Sequence, residues 1–211
     1  GVVGVGHLGI HHVKHYAAIP NVNLLGIYDP DIKRSNYVAN KYNTIVFQDL
    51  KKLIKNADAL SIVTPTQSHF KTAKLCLENK KHVFIEKPIT TTLEQADMLL
   101  EISKNNSTII QVGHIERLNP ALMALESYDI NPQFIEIQRL APYTARGTDV
   151  PVVLDKMIHD IDILLSIVKS EVKSLKATGM SIITDSLDMA HARIKFKNGA
   201  TASLMSSRIA Q

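Results

Sequence analysis

The first half of the chain alternates between two hydrophobic patterns. Apolar residues recur every three or four positions over long stretches, which is typical of helices, and one stretch opens with the capping box Thr92-x-x-Gln95. Between these stretches lie short runs rich in β-branched residues, typical of buried strands, at 2–5, 23–28, 59–63, 82–85 and 108–112. Strands that alternate with helices predict βαβ units, and hence a doubly wound parallel sheet of the Rossmann type.

The pattern changes after Gly113. A helix-like segment, a strand and a polar loop come first, at 120–127, 134–140 and 141–150. A strongly periodic helix at 154–168 then leads to three strand-like runs, at 172–183, 189–197 and 201–207. Asn198-Gly199, between the last two runs, is a strong hairpin signal. These runs predict a mostly antiparallel open sheet.

Two domains follow from this change of pattern. We expect an α/β fold with a dinucleotide-binding Rossmann domain over 1–114 and an α+β domain over 115–211. The chain starts inside one apolar run and stops directly after another. We therefore expect the second domain to be incomplete at its C-terminus.

Composition excludes several classes of protein. The 24 basic and 20 acidic residues are mixed along the chain without a basic run, which argues against nucleic-acid binding. No apolar run approaches the roughly 18 residues that a membrane span needs, so we expect no membrane insertion. Cys76 is the single cysteine, which rules out a disulfide framework within the chain and favours a reducing compartment, the cytoplasm.

A glycine motif, Gly4-x-Gly6-x-x-Gly9, follows the first strand and opens a helical segment. The first glycine permits a tight turn, the second lets the backbone approach a pyrophosphate, and the third lets helix and strand pack closely. The free N–H groups at the helix start favour the phosphates. We therefore expect the cofactor to bind at Gly4, Gly6, His7, Leu8 and Gly9.

Asp29 ends the next strand, twenty residues after Gly9. A carboxylate there can accept both ribose hydroxyls of the adenosine and would repel a 2′-phosphate, so NAD is favoured over NADP. Arg34 is close enough in sequence that some NADP tolerance is expected. The alternative is that Asp29 merely starts a turn with Pro30.

Three histidines at helical spacing, His7, His11 and His15, raise the question of a metal site. No cysteine or carboxylate cluster joins them, and a phosphate is already expected at this helix start. Catalytic metal sites usually need three well-placed ligands. We therefore expect no metal, and a plain helix surface here.

Two further clusters carry chemistry. Glu86-Lys87-Pro88 closes the strand at 82–85, where the carboxyl end of a parallel strand faces the ligand crevice, and a lysine there can act as general acid or base. Asp155, His159 and Asp162 form one polar stripe of the periodic helix, beside an apolar stripe. A carboxylate and an imidazole one turn apart can share a proton or grip a hydroxyl. The alternatives are a lysine in solvent and a solvated helix face. The apolar stripe consists of Ile158, Ile161, Leu165 and Val168.

Taken together, these motifs resemble the Gfo/Idh/MocA oxidoreductases. The glycine motif, Thr64-Pro65-Thr66-x-x-His69, Glu86-Lys87-Pro88 and Asp155-x-x-x-His159-Asp160 occur here in that family's order, over essentially the whole chain. The resemblance implies that Lys87, Asp155 and His159 are catalytic and also contact a sugar substrate, whose secondary hydroxyl loses a proton while its hydride passes to the nicotinamide. It also implies a homo-oligomer, a dimer or tetramer formed through the open sheet. Cofactor-lining residues implied in the same way are Thr64, Pro65, His69, Glu86 and Lys87.

The segment 112–120 resembles the subgroup of this family that acts on UDP-N-acetylglucosamine at C3. Arg117 can pair bidentately with a diphosphate, and we expect Asn119 beside it to contact the substrate, with help from Arg146. The alternative is a structural ion pair of Arg117 with Glu116 or Asp155. Other functions left open are the oxidation of an inositol, a hexose or a cyclic imine-type compound in the same family, and NAD(H) sensing without turnover.

Overall fold

The computed structural model describes residues 1–144 and 150–210. These residues form two compact units, Gly1–Gly113 and His114–Gln211. Each unit has its own sheet and its own apolar core. Within the described ranges, no helix has the length and apolar character that crossing a membrane requires.

A parallel five-stranded sheet forms the centre of the first unit. Its strands lie in the order β2-β1-β3-β4-β5. A parallel bridge between Ile27 and Val46 adds a further position beyond β2, which completes the strand order of the Rossmann fold. The order reverses between β1 and β3, the point where such sheets bind ligands. The strands are β1 (Val2–Val3), β2 (Ile27–Tyr28), β3 (Ala59–Ile62), β4 (His82–Ile85) and β5 (Ile110–Val112).

Helices cover both faces of this sheet. Val2 and Val3 pack into two different apolar clusters because consecutive strand residues point to opposite faces. The predicted cap at Thr92 is present, since its hydroxyl accepts the Gln95 N–H at 3.3 Å. The helices are α1 (Gly9–Ala18), α2 (Ile32–Tyr42), α3 (Leu50–Asn56), α4 (Thr66–Glu78) and α5 (Leu93–Asn106).

A four-stranded sheet in the order β6-β9-β8-β7 organises the second unit. The predicted hairpin at Asn198-Gly199 joins β8 to β9 in antiparallel pairing, and Gly199 has φ +95°. β6 pairs parallel with β9, so the sheet is mixed, although mostly antiparallel as predicted. The strands are β6 (Phe134–Leu140), β7 (Val172–Met180), β8 (Met189–Phe196) and β9 (Thr201–Ser207).

Short helical segments fill the connections of the second unit. A 3-10 turn, Ile115–Leu118, precedes α6 (Pro120–Met123) and a second 3-10 turn, Ala124–Ser127. A π-helical turn, Val153–Met157, runs into α7 (Ile158–Ile167). Met157 and Leu164 pack with Phe196 and Leu204 of the sheet in one core.

The helix predicted at 154–168 therefore differs from the observed one. Because a π turn closes i to i+5 bonds, it holds more residues per turn than an α-helix and changes the angular offset between Asp155, within it, and the residues of α7. The buried face within α7 also differs from the expected apolar stripe. Leu165, expected in the apolar stripe, is 51% exposed, while its neighbour Leu164 is fully buried.

The predicted strand at 172–183 is also shorter, since β7 ends at Met180. The Asp188 carboxylate accepts the backbone N–H groups of Ile182, Ile183 and Thr184 at 2.6–2.9 Å. Because these N–H groups donate to the Asp188 side chain, they are not available for hydrogen bonds within the sheet, and β7 ends before them.

Candidate active site

The glycine turn between β1 and α1 has the geometry that its motif predicts. Gly4 has φ +88°, and a Cβ there would lie 2.6 Å from the Val63 carbonyl oxygen. A Cβ on Gly9 would lie 2.0 Å from the Gly4 oxygen. Gly6 differs, because a Cβ there would meet no atom of the described residues within 4 Å. The protein's own packing therefore requires Gly4 and Gly9, whereas Gly6 keeps open a space that an approaching ligand can use.

The start of α1 suits an anion. Leu8 is the N-cap residue, no side chain among the described residues caps the helix, and its first turn contains no acidic residue. The first N–H groups of a helix have no partner within the helix, and the helix dipole is positive at this end. Open space at Gly6 beside such donors fits the pyrophosphate of a dinucleotide.

Asp29 lies at the end of β2 and is tied to this turn. Its Oδ2 accepts the Val5 N–H at 2.8 Å, and its Oδ1 accepts the Asp31 N–H at 2.9 Å. A carboxylate has about four acceptor positions, so each oxygen retains capacity for a ribose hydroxyl. Arg34 donates to the Val5 and Gly6 carbonyls at 2.9 and 3.2 Å, which brings a cation to the same turn.

His69, on α4, connects the segments that follow β3 and β4. Its ring is 1% exposed, with Nδ1 2.8 Å from the Pro88 carbonyl oxygen and Nε2 2.8 Å from the Thr64 carbonyl oxygen. Both partners are carbonyl acceptors, one in the segment after each strand. Pro65 follows Thr64 as the N-cap residue of α4. His69 thus positions the backbone on either side of the expected cofactor edge.

Glu86 and Lys87 follow β4, at the carboxyl edge of the sheet. The Glu86 Oε1 lies 3.1 Å from Nε2 of His12, and its Oε2 accepts the Lys87 N–H at 3.3 Å. His12 Nδ1 lies 2.8 Å from the Ser61 hydroxyl. A Cβ on Gly113 would come within 2.9 Å of Glu86 Oε1, so the space beside this carboxylate is also confined. Lys87 is half-buried.

The two expected catalytic residues of the second unit lie on either side of the junction between the π turn and α7. Asp155 is within the π turn, where its Oδ2 is 3.6 Å from the Lys156 amine. His159 is in the first turn of α7. Both side chains are partly buried.

Asp162, the third member of the expected polar stripe, has a different environment. Its carboxylate, 9% exposed, accepts from Nε and Nη2 of Arg117 at 2.7 and 2.6 Å. The neighbouring Asp160, 1% exposed, similarly accepts from Arg139 at 2.8–2.9 Å. These two carboxylates each hold an arginine from another element of the unit.

Arg117 is therefore part of a bidentate ion pair, and its partner is Asp162 rather than the Glu116 or Asp155 expected from the sequence. Its hydrogen bonds with Asp162 raise the pKa of the guanidinium above its ordinary value. Its side chain remains 56% exposed. Asn119 caps α6, since its Oδ1 accepts the Ala121 N–H at 3.0 Å. Arg146 lies outside the described residues.

The sequence pattern assigns no role to His12, and Asp160 enters it only as a member of the Asp155-x-x-x-His159-Asp160 motif. His7, His11 and His15 are exposed, whereas His12 lies beside the buried Val13 and contacts the sheet. That buried neighbour was the available signal. Within the described residues, no group of three or more His, Cys, Asp or Glu side chains is placed to hold a metal ion.

Comparison with known proteins gives two family matches. Residues 1–114 match the Gfo/Idh/MocA oxidoreductase family with NAD-binding Rossmann fold, and residues 135–211 match the Gfo/Idh/MocA C-terminal domain. The chain is 38% identical over 210 residues to a UDP-N-acetylglucosamine 3-dehydrogenase from Acidithiobacillus ferrooxidans, covering 99% of this chain and 66% of the relative. It is 28% identical to an NAD-dependent scyllo-inositol 2-dehydrogenase from Bacillus subtilis, covering 98% and 66%.

Solved structures give the same result. The crystal structure of the Acidithiobacillus ferrooxidans enzyme matches with a TM-score of 0.93 and 38% identity, over 100% of this chain and 67% of that chain. A probable dehydrogenase from Thermotoga maritima matches with a TM-score of 0.89 and 28% identity, over 100% and 68%. The chain thus spans about two thirds of the length of the curated relatives that it matches.

Proposed function

Because the chain belongs to the Gfo/Idh/MocA oxidoreductase family, we propose that the protein transfers a hydride between a secondary alcohol carbon of a sugar and the nicotinamide of NAD. Within that reaction, we propose a nucleotide sugar of the UDP-N-acetylglucosamine type as the substrate, oxidised at C3. The two parts rest on different observations and are tested separately.

The glycine turn is the observation that carries the proposal. A Cβ on Gly4 or on Gly9 would lie only 2.6 or 2.0 Å from a backbone oxygen, whereas a Cβ on Gly6 would meet no described atom within 4 Å. An uncapped helix start and the Asp29 carboxylate lie on the same turn. The turn therefore offers N–H donors for a pyrophosphate and a carboxylate acceptor for the ribose hydroxyls. This combination supports NAD as the cofactor.

The nucleotide-sugar proposal rests on relatedness. The relative named for UDP-N-acetylglucosamine shares 38% of its aligned residues with the chain, whereas the relative named for scyllo-inositol shares 28%. Arg117 and Asn119 are proposed as substrate contacts on the exposed side of the Arg117–Asp162 pair. Nε and Nη2 of Arg117 bind Asp162, so an anion would be met by the remaining guanidinium edge.

The proposed chemistry divides the alcohol's two hydrogens between two acceptors. NAD, when bound, supplies the acceptor for the hydride and its electron pair. Lys87 takes the hydroxyl proton as the carbonyl forms, since it follows β4 at the ligand edge of the sheet. His159 and Asp155 hold the hydroxyl and its neighbour, and His159 assists the proton transfer.

An assembly is also proposed. The open sheet of the second unit leaves apolar side chains exposed on β6 and β7, including Phe134 at 64% and Leu175 at 61%. Exposed apolar residues on a sheet support association of identical subunits into a dimer or tetramer. Light scattering of the full-length protein tests this, and a monomer at working concentrations would contradict it.

Lys87→Met and His159→Ala test the mechanism in the full-length protein. Each loses a proton-transfer group, so kcat is expected to fall by roughly 10²–10⁴. Reduction of NAD by UDP-N-acetylglucosamine is followed by NADH absorbance, and NAD affinity by calorimetry. For His159→Ala the affinity is expected to change little. Lys71→Met and His15→Ala, at exposed helix positions, are the matched controls.

Different results would contradict the proposed substrate, the proposed proton-transfer residues or the proposed catalytic activity. Faster turnover of an inositol or glucose than of any UDP-sugar would sink the substrate assignment and leave the family reaction in place. Near-normal kcat in both variants would contradict the proton-transfer roles. Binding of NAD without turnover of any alcohol would favour the NAD(H)-sensing alternative.

A further inference from the structure

The His12 side chain contacts residues of two neighbouring strands, β3 and β4, near the expected nicotinamide edge. Its ring lies between the Ser61 hydroxyl, at 2.8 Å from Nδ1, and the Glu86 carboxylate, at 3.1 Å from Nε2. The ring also packs edge-to-face on Phe84, with ring centroids 5.6 Å apart. Ser61 and Phe84 are register partners in β3 and β4, so both point to the sheet face that α1 covers.

The hydrogen-bond partners of His12 determine which ring nitrogen donates to Glu86. An ionised carboxylate only accepts, so the proton on His12 must be at Nε2, directed at Glu86. Ser61 can donate to Nδ1 of a neutral ring or accept from a charged one. The hydroxyl therefore completes the arrangement in either state, and Nε2 donates to Glu86 in both. The His12 and Glu86 side chains are only 14% and 15% exposed, so water competes weakly for this bond.

The Glu86 carboxylate, held by His12, also binds the backbone of Lys87. Its second oxygen accepts the backbone N–H of Lys87, at 3.3 Å. Gly113 confines the same carboxylate from the β5 side, where even a Cβ would come within 2.9 Å. The carboxylate is thus fixed on two sides while it holds the peptide from which the Lys87 side chain extends.

We propose that His12 is a positioning residue of the reaction, which acts through Glu86 to fix the place of Lys87. This inference rests on the proposed function, because it needs Lys87 to be the proton acceptor. A shift of about 1 Å in a reacting group costs up to about 100-fold in rate, so a hydrogen bond one residue away has a measurable effect on kcat.

A serine, a histidine and a carboxylate linked by hydrogen bonds also form the nucleophilic triad of hydrolases. Here Ser61 is 2% exposed within the central strand β3, and Nδ1 rather than Nε2 faces it. A substrate has no access to that hydroxyl. The arrangement is therefore a support for Glu86.

Two amide variants distinguish the hydrogen bond of Nε2 with Glu86 from the hydrogen bond of Nδ1 with Ser61. His12→Gln places an amide nitrogen near the position of Nε2, which keeps a donor to Glu86. His12→Asn places it near the position of Nδ1, which keeps a partner for Ser61 and loses the reach to Glu86. Both remove the aromatic ring and its contact with Phe84, so they share any general loss of packing.

The experiment measures kcat, the KM for the sugar and the Kd for NAD in the full-length enzyme, together with the thermal midpoint of each variant. We expect His12→Asn to lower kcat by about 10- to 100-fold, the size of one lost hydrogen bond to a charged group. His12→Gln is expected to recover most of that loss. The KM and the NAD Kd are expected to change little, and the two midpoints to agree. His15→Asn, at an exposed position of the same helix, is the control.

A second measurement tests the route through Glu86. In a Glu86→Ala background, His12→Asn is expected to have no further effect on kcat, because the bond it breaks is already absent. Nitrogen chemical shifts of labelled His12 give a readout without turnover, since Nε2 should carry the proton in the wild type and change its environment in Glu86→Ala.

Several results would overturn the proposal. Equal kcat in the Asn and Gln variants, additive losses in the double variant, or a loss confined to NAD affinity would each show that His12 does not act on Lys87 through Glu86. A wild-type enzyme that oxidises no alcohol would instead contradict the proposed function, and the nitrogen shifts would still report whether His12 donates to Glu86.

Discussion

Asp29 is the residue on which cofactor choice is expected to depend. Its carboxylate is fixed by the N–H groups of Val5 and Asp31 and faces the turn that Arg34 also contacts. A 2′-phosphate would meet this negative charge, so NAD should bind several-fold more tightly than NADP. Asp29→Asn removes the charge and one of the two hydrogen bonds to the backbone. It is expected to reduce the ratio of NAD affinity to NADP affinity. Fluorescence titration with both cofactors measures it, and equal affinities in the wild type would remove Asp29 from this role.

Asp188 fixes the end of β7 and should make the second unit sensitive to acid. Hydrogen bonds from the Thr184 N–H first, and then from Ile182, the Thr184 hydroxyl and Ile183, hold the pKa of this carboxyl well below its usual value, against the effect of burial. A lowered folded-state pKa stabilises the fold above the unfolded-state pKa, and that stabilisation is lost as the pH falls towards the folded-state value. Asp188→Asn should therefore lower the thermal midpoint at neutral pH, by an amount that shrinks on acidification. A difference that stays constant from neutral to strongly acidic pH would contradict this.

The positions of single residues were predictable from sequence where their contacts are local. Gly4, Gly6 and Gly9 lie within one turn, and Asp29 follows at a fixed spacing, so pattern alone places them together. The His12–Glu86 contact joins residues 74 positions apart, and the Arg117–Asp162 pair joins residues 45 apart. Such contacts are set by how strands and helices pack, which local pattern does not contain.

The turn between β1 and α1 offers a test at the scale of the element. Gly6→Ala adds a methyl group into open space, so the protein should fold normally but lose NAD affinity, because the methyl occupies the space of the pyrophosphate. Gly9→Ala would place a Cβ 2.0 Å from the Gly4 oxygen and should destabilise the unit whether or not NAD is present. Thermal unfolding and NAD calorimetry of both variants measure the contrast. If Gly6→Ala binds NAD as the wild type does, the turn is not the phosphate site.

Element types were largely predictable, and so was the pairing within the hairpin, but the pairing of β6 was not. Short β-branched and strand-like runs predicted β4, β6 and β9 at their observed bounds, and the Asn198-Gly199 hairpin is confirmed. The parallel pairing of β6 with β9 was not predicted, because alternation identifies a strand but not its neighbour. The π turn was invisible for a related reason, since apolar spacing was interpreted with a constant α-helical period across residues 153–157.

At the scale of the molecule, the two units have separate cores. One cluster of the first unit includes Ile62, Leu77 and Leu99, and the cluster of the second includes Leu164, Phe196 and Leu204. The residues proposed to bind NAD belong to the first unit, while Asp155 and His159 belong to the second. The division of residues between units makes the cofactor step separable from the substrate step by experiment.

NAD is accordingly expected to stabilise the first unit selectively. A ligand that binds only the folded state adds about 2.7 kcal/mol of stability at about 100 times its Kd, which for a unit of roughly 110 residues raises the midpoint by roughly 10 °C. Hydrogen exchange with mass spectrometry assigns the protection to peptides, and it should concentrate in the glycine turn, the end of β2 and the segment after β4. Gly6→Ala should abolish the protection at the same NAD concentration, which excludes a general effect of added nucleotide. Protection confined to the second unit, or equal in both, would contradict the assignment of the cofactor to the first.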